Sequence, residues 1–234
     1  MRLLERDHTG EFRLTKHLPN DKIPEIPPYA ILSHTWGDEE VLFRDLAGGT
    51  AKNKAGYAKI QFCGERAERD GLSYFWVDTC CIDKADAGEL QHALNSMFQW
   101  YRNAAKYYVY LTDVSTYKRD ADGNSEWKFA FQGCRWFTRG WTLQELIAPT
   151  TVEFFSQEGT WLGDKQWLGQ HICNATGIPL GALQSNALSD FSIEERISWV
   201  KNRTTTRKED KAYSLFGIFD VCMPILYGEG EDRA

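Results

Sequence analysis

Four short apolar runs, separated by stretches with helical spacing, organise the first two thirds of the chain. Tyr29-Ala-Ile-Leu-Ser-His34 is apolar until it stops at small polar residues, which predicts a buried strand opening into a loop at residues 35–38. Residues 72–78 (LSYFWVD), 107–113 (YYVYLTD) and 151–155 (TVEFF) are aromatic and β-branched and predict three more strands. Between the first two, residues 41–69 carry Tyr57, Ile60, Phe62 and Cys63 at helical spacing, broken by Gly48, Gly49 and Gly56, and predict one or two helices. Residues 89–105 place Leu90, Ala93, Leu94, Met97, Phe98 and Tyr101 on one helical face. Residues 140–148 predict a short helix stopped by Pro149, and the charged stretch 117–128 predicts a surface loop.

Strand and helix thus alternate four times. Each parallel strand needs a crossover back to the same edge, so the pattern predicts an α/β fold with a parallel sheet flanked by helices. Ligands collect at the carboxyl ends of such strands. Here those ends are residues 33–37, 78–83, Asp113 and the loop before Trp141. Residues 1–28 form an N-terminal segment ending in a proline-rich run that can continue neither a helix nor a central strand. Residues 29–156 form the core. Residues 157–234, with helical spacing at 161–176, 193–201 and 210–219, form a helical C-terminal extension packed on it, within one domain spanning 1–234.

Composition narrows the chemistry. The 33 acidic and 27 basic side chains leave a net charge of −6, which argues against a broad nucleic-acid surface. No apolar window is long enough to span a bilayer and the charged N-terminus is unlike a signal peptide, so a cytoplasmic protein is expected, and the sequons at Asn174 and Asn202 carry no consequence. The six cysteines lack zinc-ligand spacing, and no metal site is expected. Cys80 and Cys81 read as packing groups rather than nucleophiles. No phosphate-binding glycine motif follows a strand.

Aromatic residues make up 14% of the chain, with nine tryptophans. Trp76 and Trp100 fit the core of a strand and a helix; Trp161, Trp167 and Trp199 fit the helical last third; Trp127 and Trp136 flank a loop. Trp36 and Trp141 stand apart at predicted strand ends. Trp141 and Glu145, four residues apart on a helix, share a face, so an indole and a carboxylate can border one cavity and take a flat cationic ring and a ribose. Spacing alone equally describes a core Trp and a solvated Glu. Ser33, His34, Trp36 and Gly37 end the first strand and can supply small donors and a stacking face. Asp78 ends the second strand, and Arg135 and Arg139 can neutralise a pyrophosphate.

Three longer motifs, YAILSHTWG at 29–37, WVDTCCIDK at 76–84 and RGWTLQELIAP at 139–149, strongly resemble the signature blocks of the fungal HET (heterokaryon incompatibility) domain. The resemblance implies a role in programmed cell death after fusion of incompatible cells, in a longer protein with C-terminal nucleotide-binding and repeat domains. HET domains have been related to TIR domains, which implies a TIR-like, flavodoxin-like fold. In enzymatic TIR domains a helix carries Trp-Cys-x-x-Glu-Leu, and its glutamate is needed to cleave NAD. Trp141-Thr-Leu-Gln-Glu145-Leu146 keeps that spacing with Thr142 in place of Cys. On this resemblance the chain is expected to be an NAD hydrolase with Glu145 catalytic. Ser33, His34, Trp36, Gly37, Asp78, Arg139 and Trp141 are expected to bind substrate, NAD being a substrate and not a cofactor, and self-association is expected to activate the domain. The alternatives are a non-catalytic TIR-like assembly module, or a hydrolase or nuclease acting on another nucleotide or nucleic acid.

Overall fold

In a computed structural model, which describes residues 1–18, 26–117, 126–184, 187–228 and 230, a mixed seven-stranded sheet with a mostly parallel core is covered by helices on both faces. The strands are β1 (Leu4–Arg6), β2 (Phe12–Leu14), β3 (Tyr29–His34), β4 (Tyr74–Val77), β5 (Lys106–Tyr110), β6 (Glu153–Phe155) and β7 (Trp161–Asp164), in the order β2-β1-β4-β3-β5-β6-β7. The four runs expected from the apolar pattern are β3 to β6, and they pair with one another in parallel. Counted among themselves they run second-first-third-fourth, the beginning of the flavodoxin-type order, in which the chain reverses direction across the sheet between its first and third strands. That reversal falls between β3 and β5.

Every residue of β3 is buried, because a central parallel strand is covered on both faces. The covering helices are α1 (Phe43–Ala47), α2 (Tyr57–Arg69), α3 (Ala87–Asn103), α4 (Trp127–Gln132), α5 (Thr142–Ile147), α6 (Gly169–Thr176), α7 (Leu180–Gln184), α8 (Ile193–Ser198), α9 (Asp210–Tyr213) and α10 (Phe216–Phe219). Asp86 caps α3 by accepting from the Glu89 N–H, fixing where its long apolar face begins. Strand register sorts the side chains. Ile31, Trp76 and Tyr107 are neighbours on the face that meets α3, where Trp76 touches Trp100 and Tyr101, and Tyr101 touches Tyr107. Phe155 and Tyr110 meet Phe62 of α2 on the other face.

Three strands depart from the expected pattern. The N-terminal segment is part of the sheet: β1 pairs antiparallel with both β2 and β4. Its strands have three residues each, too short for an alternation to register against their charged neighbours. At the opposite edge, residues 161–164 form β7, antiparallel to β6, where helix was expected; only residues 169–176 are helical. Gly163, with φ of +147°, explains the break, since a Cβ there would lie 2.4 Å from the Trp167 ring. The expected loop at 117–128 lies outside the described residues from 118 to 125, and α4 begins at Trp127.

Candidate active site

Glu145 projects from α5 into the carboxyl end of the sheet. Its Oε2 accepts hydrogen bonds from Ser33 Oγ at the end of β3 and from Tyr107 OH of β5 at 3.2 Å. Ser33 in turn accepts from Trp136 Nε1 at 2.7 Å. Trp136 is fully buried in a 3₁₀ turn (Arg135–Thr138) and packs on Phe137 and Phe154, so its N–H is aimed rather than mobile. Two strands flanking the topological reversal therefore hold one carboxylate. Burial pushes that carboxyl up to about 7; the nearby Asp78 adds to the rise, and the Ser33 and Tyr107 hydrogen bonds and the Arg203 charge oppose it. Glu145 nonetheless keeps part of its surface exposed.

Arg203 reaches this helix from the C-terminal part. It is 5% exposed, and its Nη1 donates to Arg139 O and Thr142 Oγ1, both at 2.9 Å, while Nε donates to Trp199 O at 3.2 Å. Thr142 Oγ1 also donates to Trp136 O at 2.6 Å. The 203–206 segment can lie this close because residue 140 is glycine: a Cβ there would sit 2.4 Å from Thr205 Cγ2, and Gly140 N–H donates to Thr204 O at 3.0 Å.

Asp78, just past β4, accepts from Trp36 Nε1 at 2.9 Å, and Lys84 Nζ lies 3.7 Å from the centroid of the Trp36 ring. Trp36 is 48% exposed, so one part of the indole seats an ammonium while another faces solvent. Burial lowers the Lys84 pKa, and Asp78 pulls it back up.

His34 goes to the other face. On a strand, consecutive side chains point oppositely, so Ser33 faces α5 while His34 meets Glu40 on the α2 side, with Nε2 to Oε2 at 3.4 Å. Glu40 also takes Lys59 Nζ and the Gly37 N–H, the latter at 2.7 Å. Burial works against its charge, but these donors hold its pKa down to about 2. Glu40 thereby pins the 35–37 loop, and Gly37 serves it through its backbone.

Two surface cavities, of about 490 and 480 Å³, open elsewhere. One is lined by Tyr29, Asn95, Gln99 and Trp100, the other by Arg66, Lys106, Glu153 and Trp161, both at the amino ends of the parallel strands.

Residues 29–126 match the family model described as heterokaryon incompatibility protein (HET). Over those residues the chain is similar to the HET family. The whole of it is 64% identical, over 236 aligned residues, to the vegetative incompatibility protein HET-E-1 of Podospora anserina. It spans 17% of that relative's length. No solved structure matches the chain. The HET-model match contains Ser33, Asp78, Lys84 and Tyr107 but ends before Trp136, Glu145 and Arg203, which the similarity to HET-E-1 does cover.

Of the site residues named from the sequence, the structure gathers Ser33 with Glu145 directly. Asp78 and Trp36 stand beside them, Asp78 close enough to act on the Glu145 charge. His34 and Gly37 belong to the Glu40 cluster behind the sheet. Arg139 Nη2 is turned to Thr206 Oγ1 at 3.0 Å, and Trp141 is half-buried and hydrogen-bonds Asp210, so both are engaged by the C-terminal part of the domain. Burial raises Cys80 well above the usual thiol range, which leaves it a packing group. Tyr107 was detectable in the sequence, because the parity that turns Ser33 toward α5 turns Tyr107 the same way. Arg203 was not, since an irregular stretch 58 positions beyond Glu145 carries no periodic signal.

Among the described residues no helix is long and apolar enough to cross a membrane.

Proposed function

We propose that this chain is a cell-death effector with a TIR-like core that hydrolyses NAD to nicotinamide and ADP-ribose, or a cyclic product, through Glu145. The HET match and the similarity to a vegetative incompatibility protein support the effector role. The observation that carries the chemistry is the Glu145 carboxylate at the β3/β5 reversal, oriented by Ser33 and Tyr107 and pushed up to about 7 by burial.

In the reaction the bond between ribose C1′ and the nicotinamide nitrogen breaks, and its electron pair neutralises the ring cation as it leaves. The ribose passes through an oxocarbenium-like state, which an ionised Glu145 stabilises. Water then adds to C1′ and gives up a proton, for which a carboxylate with a pKa of about 7 is a well-matched acceptor. Self-association raises activity in this reading by ordering the site. Purified protein incubated with NAD tests it: Glu145→Gln should lose at least about a hundredfold in turnover. Equal NAD consumption by the variant would remove Glu145 from the mechanism.

A second reading, a non-catalytic assembly module, draws on one surface. Trp161 and Trp167, 51% and 60% exposed, stack in line with Trp127. Exposed aromatic clusters of this kind make contact hot spots. It requires toxicity that survives Glu145→Gln and fails on Trp161→Ala with Trp167→Ala.

A further inference from the structure

Several buried donors without acceptors lie toward the carboxyl ends of the parallel strands; Arg66 Nε, which faces Asp70 at 3.4 Å, and Trp76 Nε1 lie elsewhere. Lys84 Nζ, Arg203 Nη2 and both ring nitrogens of His34 are buried without hydrogen-bond partners. Native structures rarely tolerate such groups, and a cluster of them calls for a ligand. His34 has Glu40 at 3.4 Å, and Arg203 has three other hydrogen bonds. Lys84 has neither kind of compensation: its contact is the Trp36 ring, and its three N–H donors have no acceptor. The obvious candidate, Asp78, is occupied by the Trp36 N–H.

We infer that Lys84 is the anchor of a phosphate subsite, seated on Trp36 beside Asp78, for the pyrophosphate of a dinucleotide. The inference rests on the NAD reading for the identity of the ligand, but its anion-binding part stands alone. A desolvated ammonium gains most from a doubly charged oxyanion that can take several of its donors at once. Burial lowers the Lys84 pKa, and the nearby Asp78 charge opposes that fall. The exposed remainder of the Trp36 indole offers a flat surface to whatever the phosphate carries. The two functions also separate along the chain: WVDTCCIDK supplies the anchor, and RGWTLQELIAP supplies the carboxylate.

The test uses inorganic pyrophosphate and two substrates. Calorimetry and melting temperature should show pyrophosphate binding to the wild type, at least tenfold weaker binding to Lys84→Met, and binding within about threefold of wild type for Lys84→Arg. With NAD, Lys84→Met should raise KM at least tenfold and leave kcat within about twofold. With nicotinamide riboside, which has no phosphate, wild type and Lys84→Met should behave alike. Pyrophosphate that leaves the wild-type melting temperature unchanged, or that binds wild type and Lys84→Met equally, overturns the subsite; so does an equal loss on both substrates. Circular dichroism checks the fold, and Lys84→Gln replaces Lys84→Met if the latter does not fold. If neither substrate is cleaved by wild type, the NAD reading fails while the pyrophosphate measurement still decides for or against Lys84.

Discussion

Two charged clusters sit at opposite ends of the same parallel strands, and they are built on opposite principles. At the amino ends, Arg66, Asp70, Lys106 and Glu153 balance one another: Lys106 Nζ donates to Glu153 Oε1 at 3.0 Å and Arg66 Nη2 to Glu153 Oε2 at 3.3 Å, while Arg66 Nε pairs with Asp70 at 3.4 Å. Tyr108 OH adds a 2.6 Å hydrogen bond to Asp70. At the carboxyl ends, Asp78, Glu145, Lys84 and Arg203 carry the same formal charges, but Lys84 makes no hydrogen bond and Glu145 is held near neutrality by burial. A cluster that satisfies itself is a fastening, and one that leaves donors and carboxylates poised is a place for a ligand. The cavity lined by Arg66, Lys106, Glu153 and Trp161 opens at the fastened end.

The largest expected effect breaks the comparison at its centre. Glu145→Gln should abolish NAD turnover and, at the same time, stabilise the fold above neutral pH. The folded carboxyl has its pKa raised from 4.5 to about 7, so the folded state binds the extra proton between those values. Stability attributable to this group is therefore full below about pH 4.5 and is lost as pH rises through 7. Wild type and Glu145→Gln should melt together near pH 5 and diverge by pH 8, with the variant ahead by roughly 1–3 kcal/mol. Melting curves that stay parallel across that range would mean that Glu145 is not held protonated by burial. The tenfold rise in KM expected for Lys84→Met ranks next.

At the fastened end the expected signs reverse. Glu153→Gln removes the shared acceptor of Lys106 and Arg66, both only partly exposed, and should cost about 1–2 kcal/mol of stability. It should leave kcat/KM for NAD within twofold, and a chemical denaturation curve beside an NAD assay measures both. A drop in activity larger than the drop in stability predicts would show that the two ends are coupled.

The same contrast explains what could be read from residues alone. The strands β3 to β6 and helix α3 were legible because long apolar runs and a full helical stripe leave little choice of element. The edge strands β1, β2 and β7 were not, because three or four residues at a sheet margin can be as polar as a loop. Ser33 and Glu145 were legible as a strand end and a helix face. That Ser33 and His34 part company follows from strand alternation, a rule that needs only the sequence. The clasp of Arg203 on α5 depends on where a distant irregular segment lies, and Trp161 and Trp167 face solvent because Gly163 turns the helix expected there into an edge strand.

The smallest effect offers the sharpest version of the comparison, because one donor can be removed from an aspartate at each end. Trp36→Phe deletes the N–H given to Asp78 at 2.9 Å but keeps a ring under Lys84. Tyr108→Phe deletes the O–H given to Asp70 at 2.6 Å but keeps its ring against Phe155. A neutral donor to a carboxylate is worth about 1 kcal/mol in either place. At the amino end that loss should appear in the melting temperature and leave NAD cleavage unchanged. At the carboxyl end Asp78 is freed to pair with Lys84, so the loss should appear as a twofold to fivefold rise in KM with the melting temperature almost unmoved. If Trp36→Phe lowers stability and spares KM, the Trp36–Asp78 contact is a fastening like its counterpart, and the division of the molecule into a closed end and a poised end is wrong at that residue.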